Sequence, residues 1–284
     1  MPVKDLIIDV GAHKGNDTDF YLKKGFRVVA IEANPCLVEE LEKRFRSEIA
    51  AGRLVLLPYG IHEQAGTFDF YRNLDKDDWS SFKPEFGTRE QTKYDVCKVK
   101  CVPFEDVIRT YGVPYYLKTD IEGHDSHVLN ALVRLQAAPT YLSVEGHSLD
   151  YLFRLRSLGY GGFKYVNQAR NVQVKCPYPP LVGNYVDYHF DGHSSGPFAE
   201  ESPGDWQTFD AVAYEFLHVH FGFFDRTTFG QGQGWHDFHA KFGDVVTAAA
   251  PHGSAPVQAV GSGSWLPKMV RRLTRLAGRA AVRN

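Results

Sequence analysis

The stretch Leu6-Ile-Ile-Asp-Val-Gly-Ala-His-Lys-Gly15 decides the fold. Leu6 to Val10 is an apolar run interrupted only by Asp9, the pattern of a short strand buried on both faces. A turn carrying Gly11 and Gly15 follows, then a helical pattern from Asn16 to Lys24. Strand, glycine turn and helix in that order form the first unit of a nucleotide-binding α/β sheet. The spacing is D-x-G-x-x-x-G, wider than the G-x-G-x-x-G loop that cradles a pyrophosphate. An acid beside widely spaced glycines suits a ligand with an ammonium group and no pyrophosphate, and S-adenosylmethionine is such a ligand.

The chain has 284 residues, enough for one large α/β domain with additions. A formal net charge of −2 supplies no global basic field, so nucleic acid is not an expected partner. Cys36, Cys97, Cys101 and Cys176 form no C-x-x-C pair and read as buried thiols of a reducing compartment. The first residues lead straight into a core strand, which leaves no place for a signal peptide. No apolar run reaches the ~20 residues a membrane span needs. The expectation is a soluble cytoplasmic protein.

Arg27–Ile31 reads as the second strand, with Glu32 at its end, about 20 residues beyond the glycine turn. A carboxylate there accepts hydrogen bonds from ribose hydroxyls. Asn34-Pro35 opens a helix reaching about Ala50, and Leu54–Leu57 is a third strand. Segments near 60–64 and 67–72, split by Gly66, look like a hairpin. Residues 73–95 are turn-rich, either a surface loop or a flap over the site. Val96–Val102 reads as another strand, and Pro103 starts a helix through Tyr111.

Residues 115–137 repeat the opening logic: strand, acid, glycine turn, helix. Asp120, Glu122, His124 and Asp125 fall at the carboxyl end of that strand, where open parallel sheets bind ligands. A third copy follows, with Thr140–Val144 as strand and then Glu145-Gly146-His147. Asp125 and Ser148 read as helix caps. Phe163–Val166 and Val172–Lys175 read as a closing antiparallel pair, and Phe209–Phe221 as a helix.

Val10-Gly-Ala-His-Lys-Gly15, Ile31-Glu-Ala-Asn-Pro35 and Leu117-Lys-Thr-Asp-Ile-Glu-Gly-His124 together resemble the FkbM family of S-adenosylmethionine-dependent methyltransferases. The resemblance covers roughly residues 5–167. It implies a Rossmann-like class I methyltransferase fold: a seven-stranded, mostly parallel sheet with helices on both faces. It implies methyl transfer to a hydroxyl oxygen of a sugar, glycan or natural-product acceptor. By similarity, Asp9, Gly11 and Gly15 hold the methionine end of the cofactor, Glu32 the ribose, and Asp120 sits beside the reacting methyl. Ala12, His13, Ala33, Asn34 and Gly60 go with them as cofactor-contacting positions. The chain departs from the family pattern at His13 and Pro58, where the family carries asparagine, and at Asp125, where it carries glutamate.

A hydroxyl is a weak nucleophile at its own pKa and needs a base or a metal. His147 is the first candidate for the base, with His124 on the same side and Asp120 and Glu145 orienting it. Alternatively Asp120, Glu122 and Glu145 bind Mg2+ through their oxygens. His218-x-His220 on a helix points to two faces, while His236-x-x-His239 could share one. With no cysteine among them and no H-E-x-x-H motif, these histidines are a weak candidate for a zinc site.

The chain divides into a methyltransferase core (1–175), an aromatic and histidine-rich lid or extension (176–244), a flexible linker (245–264) and a basic amphipathic helix (265–284). Within the extension, packing onto the core is favoured over a sugar-stacking surface. The terminal helix suits peripheral contact with the inner face of an anionic membrane, or docking on its own or a partner subunit. A homo-oligomer stays open. Two other functions compete: a non-catalytic methyltransferase-fold scaffold at a membrane, and an NAD-dependent oxidoreductase, against which the glycine spacing argues.

Overall fold

The computed structural model describes residues 1–221 and 235–243. In chain order the elements are β1 (Val3–Val10), α1 (Asn16–Lys23), β2 (Arg27–Ile31), α2 (Pro35–Arg44), α3 (Arg46–Ala50), β3 (Leu54–Leu57), β4 (Gly60–Ile61) and β5 (Gly66–Asn73). A long connection containing α4 (Pro84–Gly87) leads to β6 (Tyr94–Val102), α5 (Phe104–Tyr111), β7 (Pro114–Thr119), α6 (Asp125–Leu135), β8 (Tyr141–Glu145), α7 (Leu149–Ser157) and β9 (Tyr160–Asn167). The last are α8 (Phe209–Phe221) and β10 (His236–Phe242). Among these residues no helix is long and apolar enough to cross a membrane.

Seven strands form one sheet in the order β3-β2-β1-β7-β8-β10-β9. The pairings from β3 through β8 are parallel, and β10 runs antiparallel between β8 and β9. The chain builds outward from β1 to β3, then crosses back to β7, so the switch point lies between β1 and β7. That is where ligands bind in such sheets. This is the seven-stranded, mostly parallel sheet that the sequence resemblance implies. The alternation along β1 explains its burial on both faces. Leu6, Ile8 and Val10 join one core with Leu117, Leu129 and Leu132, while Ile7 points the other way to Phe20, Tyr21 and Tyr116.

Two local expectations change. β4 and β5 make no hairpin; they flank β6 in a separate three-stranded sheet, β4 parallel and β5 antiparallel to it. The partner of β9 is not 172–175. Residues Gln168–Gln173 turn as a 3-10 helix, and β10 takes the place beside β9. The sheet therefore extends past residue 175, and a strand from the presumed extension completes it. The reason is topological: an antiparallel strand between β8 and β9 can arrive from any later point in the chain. The linker at 245–264 and the basic helix at 265–284 lie outside the described residues.

Residues 176–208 form an aromatic strap on the sheet face that also carries α1. Val182, Phe190, Phe198 and Ala199 join the core of Phe20, Tyr21, Phe26 and Tyr116. Phe198 stacks on Tyr116 with ring centroids 4.8 Å apart. Packing on the core is thus what most of these aromatic residues do. A buried ion pair pins the strap: Lys24 Nζ, at the end of α1, donates to both oxygens of Glu201 at 2.9 Å. The Leu181 and Val182 amides donate to the same carboxylate at 2.9 and 3.1 Å. Neither side chain of the pair reaches solvent.

Removing one partner of such a pair strands the other charge in a dry interior, at a cost of about 3–5 kcal/mol. Glu201→Ala is therefore expected to lower the unfolding free energy by about that amount in urea titration. A loss below about 1 kcal/mol would mean that the strap is not anchored there.

Candidate active site

A cavity of about 800 Å3 opens over the carboxyl ends of β1, β2, β7 and β8. Its floor is the turn after β1. Gly11 has φ +85°, and a Cβ there would lie 1.9 Å from the Asp120 carbonyl oxygen. Only glycine lets the β1 and β7 backbones approach so closely. The Asp120 amide donates to the Val10 carbonyl at 3.0 Å across this junction, and the Gly11 and Ala12 amides donate to Ile31.

Lys118 braces the floor and itself lines the cavity. Its buried Nζ donates to the Gly11 carbonyl at 3.0 Å and lies 3.4 Å from Asp9 and 3.5 Å from Asp17. Burial alone would lower its pKa, but the Asp9, Asp17 and Asp120 carboxylates outweigh this and raise it well above the usual lysine value. Asp9 is fully buried and accepts from Thr18 Oγ1 at 2.6 Å. It does not line the cavity, so the direct ligand contact expected of it is corrected: Asp9 acts on the floor through Lys118 and Thr18. Gly15 is also off the cavity. It starts α1 in a left-handed conformation, and a Cβ there would sit 2.5 Å from Phe45 and 2.7 Å from Leu41.

On the β2 side, Glu32 lines the cavity and is held by two backbone amides. His13 N donates to one oxygen at 2.7 Å and Asn34 N to the other at 2.8 Å. Each oxygen retains a lone pair for a further donor. Burial pushes the Glu32 carboxyl up to about 7, against those same amides. Asn34 is buried and caps α2 by accepting from Cys36 N at 3.1 Å; it is a support and not a wall. Ala12, His13, Ala33 and Gly60 line the cavity with Ile31, Leu37 and Tyr59.

Residues 74–93 form a flap, the second of the two readings left open for 73–95. Asp77 meets His13 Nε2 at 3.0 Å and Lys14 Nζ at 2.8 Å, latching the flap to the glycine turn. The Trp79 ring lies between Lys76, at 3.6 Å, and the Arg89 guanidinium, at 4.1 Å. The strap supplies another rim. Ser194 Oγ and the Ser195 amide donate to Asp17, and Gly192 to Ser195 line the opening.

The β7–β8–β10 side is an acid wall. Asp120, Glu122, Glu145 and Asp237 all line the cavity. Arg89 pairs with Glu122 at 3.1 Å, and His147 Nε2 lies 2.7 Å from Glu145 Oε2. Burial, then repulsion by Glu145 and Asp120, pushes Glu122 up to about 8. Burial would lower His147, but Glu145, Asp125 and Glu122 outweigh it and push the imidazole up to about 9. As the general base expected from the sequence, His147 would first have to give up that proton, which Glu145 holds in place. His124 is corrected too. It is buried away from the cavity, stacked on Phe82 and in ring contact with His62 and His127, and burial with His127 takes it down to about 4.

Asp125 does not cap α6. Its carboxylate accepts from Thr119 Oγ1 at 2.8 Å and from the Ile121 amide at 3.2 Å, bracing the loop that carries Asp120. Ser148 does cap α7, accepting from Asp150 N at 3.2 Å. His236 and His239 lie on β10, where an i, i+3 pair points to opposite faces. Lys118 and Asp237 were missed in the sequence. A lysine inside an apolar strand was a usable signal for the first. Asp237 carried none, because its strand was assigned outside the core.

The model of the methyltransferase FkbM domain family matches residues 9–165. A probable ribosomal RNA small subunit methyltransferase A from Methanospirillum hungatei is 40% identical over 52 residues, 18% of this chain and 20% of that protein. The chain thus matches only a fifth of that curated relative's length. The solved FkbM methyltransferase of Methylobacillus flagellatus is 19% identical, with a TM-score of 0.36, covering 54% of this chain and 36% of that one. The precorrin-6y C5,15-methyltransferase of Geobacter metallireducens is 11% identical, with a TM-score of 0.36, covering 86% and 82%.

Gly11→Ala would place a methyl group inside the Asp120 carbonyl and force a left-handed backbone on alanine. The expected cost is about 2–5 kcal/mol of stability, read by thermal unfolding. A variant as stable as the parent would show that the floor is not as tight as described.

Proposed function

The chain belongs to the FkbM methyltransferase family, and from that premise we propose that it transfers a methyl group from S-adenosylmethionine to a hydroxyl of a sugar, glycan or natural-product acceptor. When bound, S-adenosylmethionine supplies an electrophilic methyl group on a sulfonium. The observation that carries the reading is Glu32. A carboxylate fixed by two amides, with a free lone pair on each oxygen and its face on the cavity, suits a pair of vicinal hydroxyls such as those of a ribose. Ile31, Leu37, Tyr59 and Phe82 supply apolar walls of the kind that a planar base needs.

The acid wall stands where the acceptor enters. An acceptor hydroxyl must shed a proton as its oxygen is methylated. Among the wall groups, the Asp120 and Glu145 carboxylates can take it, whereas His147 already holds one. A wall rich in carboxylates also accepts hydrogen bonds from several hydroxyls at once, which favours a polyhydroxylated acceptor over an aromatic one.

Calorimetric titration with S-adenosylmethionine tests the reading. Glu32→Gln is expected to weaken binding by about thirtyfold, ~2 kcal/mol, by removing charge-assisted hydrogen bonds. The sign of the pH dependence follows from the Glu32 carboxyl at about 7. Ligand hydroxyls donate best to the ionised form. The parent's advantage over Glu32→Gln should be full above pH 7 and fall about tenfold per pH unit below it. Binding of NAD with none of S-adenosylmethionine would overturn the proposal. Silence with both would favour a non-catalytic scaffold.

A further inference from the structure

The acid wall gathers more carboxyl groups than the positive side chains beside it partner. Asp237 sits directly opposite Glu145 on the adjacent antiparallel strand. Side chains so paired leave the sheet on the same face, with Cβ atoms about 5 Å apart, and like charges there repel. Asp237 is only 5% exposed, lines the cavity, and makes no side-chain hydrogen bond or ion pair among the described residues. Glu122 adds a buried oxygen, Oε2, with no hydrogen-bond partner. Nearby positive groups are already engaged. Lys118 is shared by Asp9 and Asp17, and Arg89 is spread over Glu122 and the Trp79 ring.

The structure assigns a divalent-cation site to Glu122, Glu145 and His147, with the unpartnered carboxylate of Asp237 beside it. One donor atom from each of the three ligands lies within 4.8 Å of the others. A metal about 2.1 Å from each donor needs separations of about 3–4 Å, so binding opens the 2.7 Å contact between His147 and Glu145 by a small side-chain rotation. Two carboxylate oxygens and one imidazole nitrogen form a mixed donor set. It suits Mn2+, Fe2+, Co2+ or Zn2+ better than Mg2+, which takes oxygen alone. Asp120, offered with Glu122 and Glu145 by the sequence as an Mg2+ ligand, is outside this set, and His147 replaces it.

Such a cation does three things. It gives the facing Glu145 and Asp237 carboxyls a positive partner. It replaces the proton on His147 with a metal bond, which removes the one cationic group paired with Glu145. It leaves coordination positions open to the cavity, where an acceptor hydroxyl can bind and lose its proton more readily. Only this last consequence rests on the methyltransferase reading; cation binding is separate from it.

The test uses the full chain stripped of metal with a chelator. Mn2+ is added and free Mn2+ followed by electron paramagnetic resonance; Co2+ is added in parallel and followed by visible absorption. One Mn2+ per chain is expected, weakened about tenfold or more in Glu145→Gln and in His147→Ala. The Co2+ bands should shift in His147→Ala, since the nitrogen donor is lost. Circular dichroism of His147→Ala separates lost metal from lost fold. No uptake of either ion at millimolar concentration, or uptake equal in parent and both variants, overturns the site. S-adenosylmethionine titrated into the same metal-free samples keeps the two readings apart. Cofactor binding without cation uptake would sink the site and leave the methyltransferase standing.

Discussion

The structure depends on a buried ammonium. Lys118 reaches from the carboxyl end of β7 to the Gly11 carbonyl and to the carboxylates of Asp9 and Asp17. It therefore joins β7, β1, the glycine turn and α1 at the cavity wall. An isolated charge in that position would be expensive, and so would either acid without it. Together they set the turn's geometry, and everything above the turn inherits it. The Asp120 loop is hung from Val10, and Glu32 faces Gly11 through the His13 amide. The strap is tied in through the same Asp17, by Ser194 and Ser195.

The two sides of the cavity are built by opposite means. On the β2 side one carboxylate is satisfied by amides from its own neighbourhood, within twenty residues of sequence. On the β7–β8–β10 side four carboxylates converge from three strands, and little in the protein neutralises them. Burial and mutual repulsion then raise Glu122 and Glu145, and the Glu145–His147 pair holds its proton on the imidazole. A site in this state is primed for a positively charged or proton-rich occupant. Perturbed groups gathered at a cleft are a functional signature, and here they gather at one wall of it.

Much of this was legible in the chain. The strand–turn–helix units at 6–24, 27–44 and 115–135 fall where the apolar runs and glycines place them. The acids Glu32 and Asp120 in the last two of these, and Glu145 at the end of β8, all reach the cavity. What misled were residues whose type fits a role their surroundings deny. Asp9 looks like a ligand and is sealed under the floor. His124 sits in the most specific motif and is stacked among rings. His147 looks like a base and is held as an acid.

The sequence by itself determined the units of the sheet and the carboxylates at their tips. Alternation of apolar side chains, the conformational freedom of Gly11 and the start of a helix at Pro35 are local effects, complete within a few residues. Only the tertiary structure decided which charges meet. Glu201 finds Lys24 across 177 positions, Lys118 meets the Gly11 carbonyl across 107, and Asp237 arrives opposite Glu145 on a strand that looked like part of the extension. The physical reason is that a titratable group's charge depends on burial and on its neighbours' fields, and both are properties of the packed chain. Spacing in the sequence can name such a group, but the fold sets its protonation and its partner.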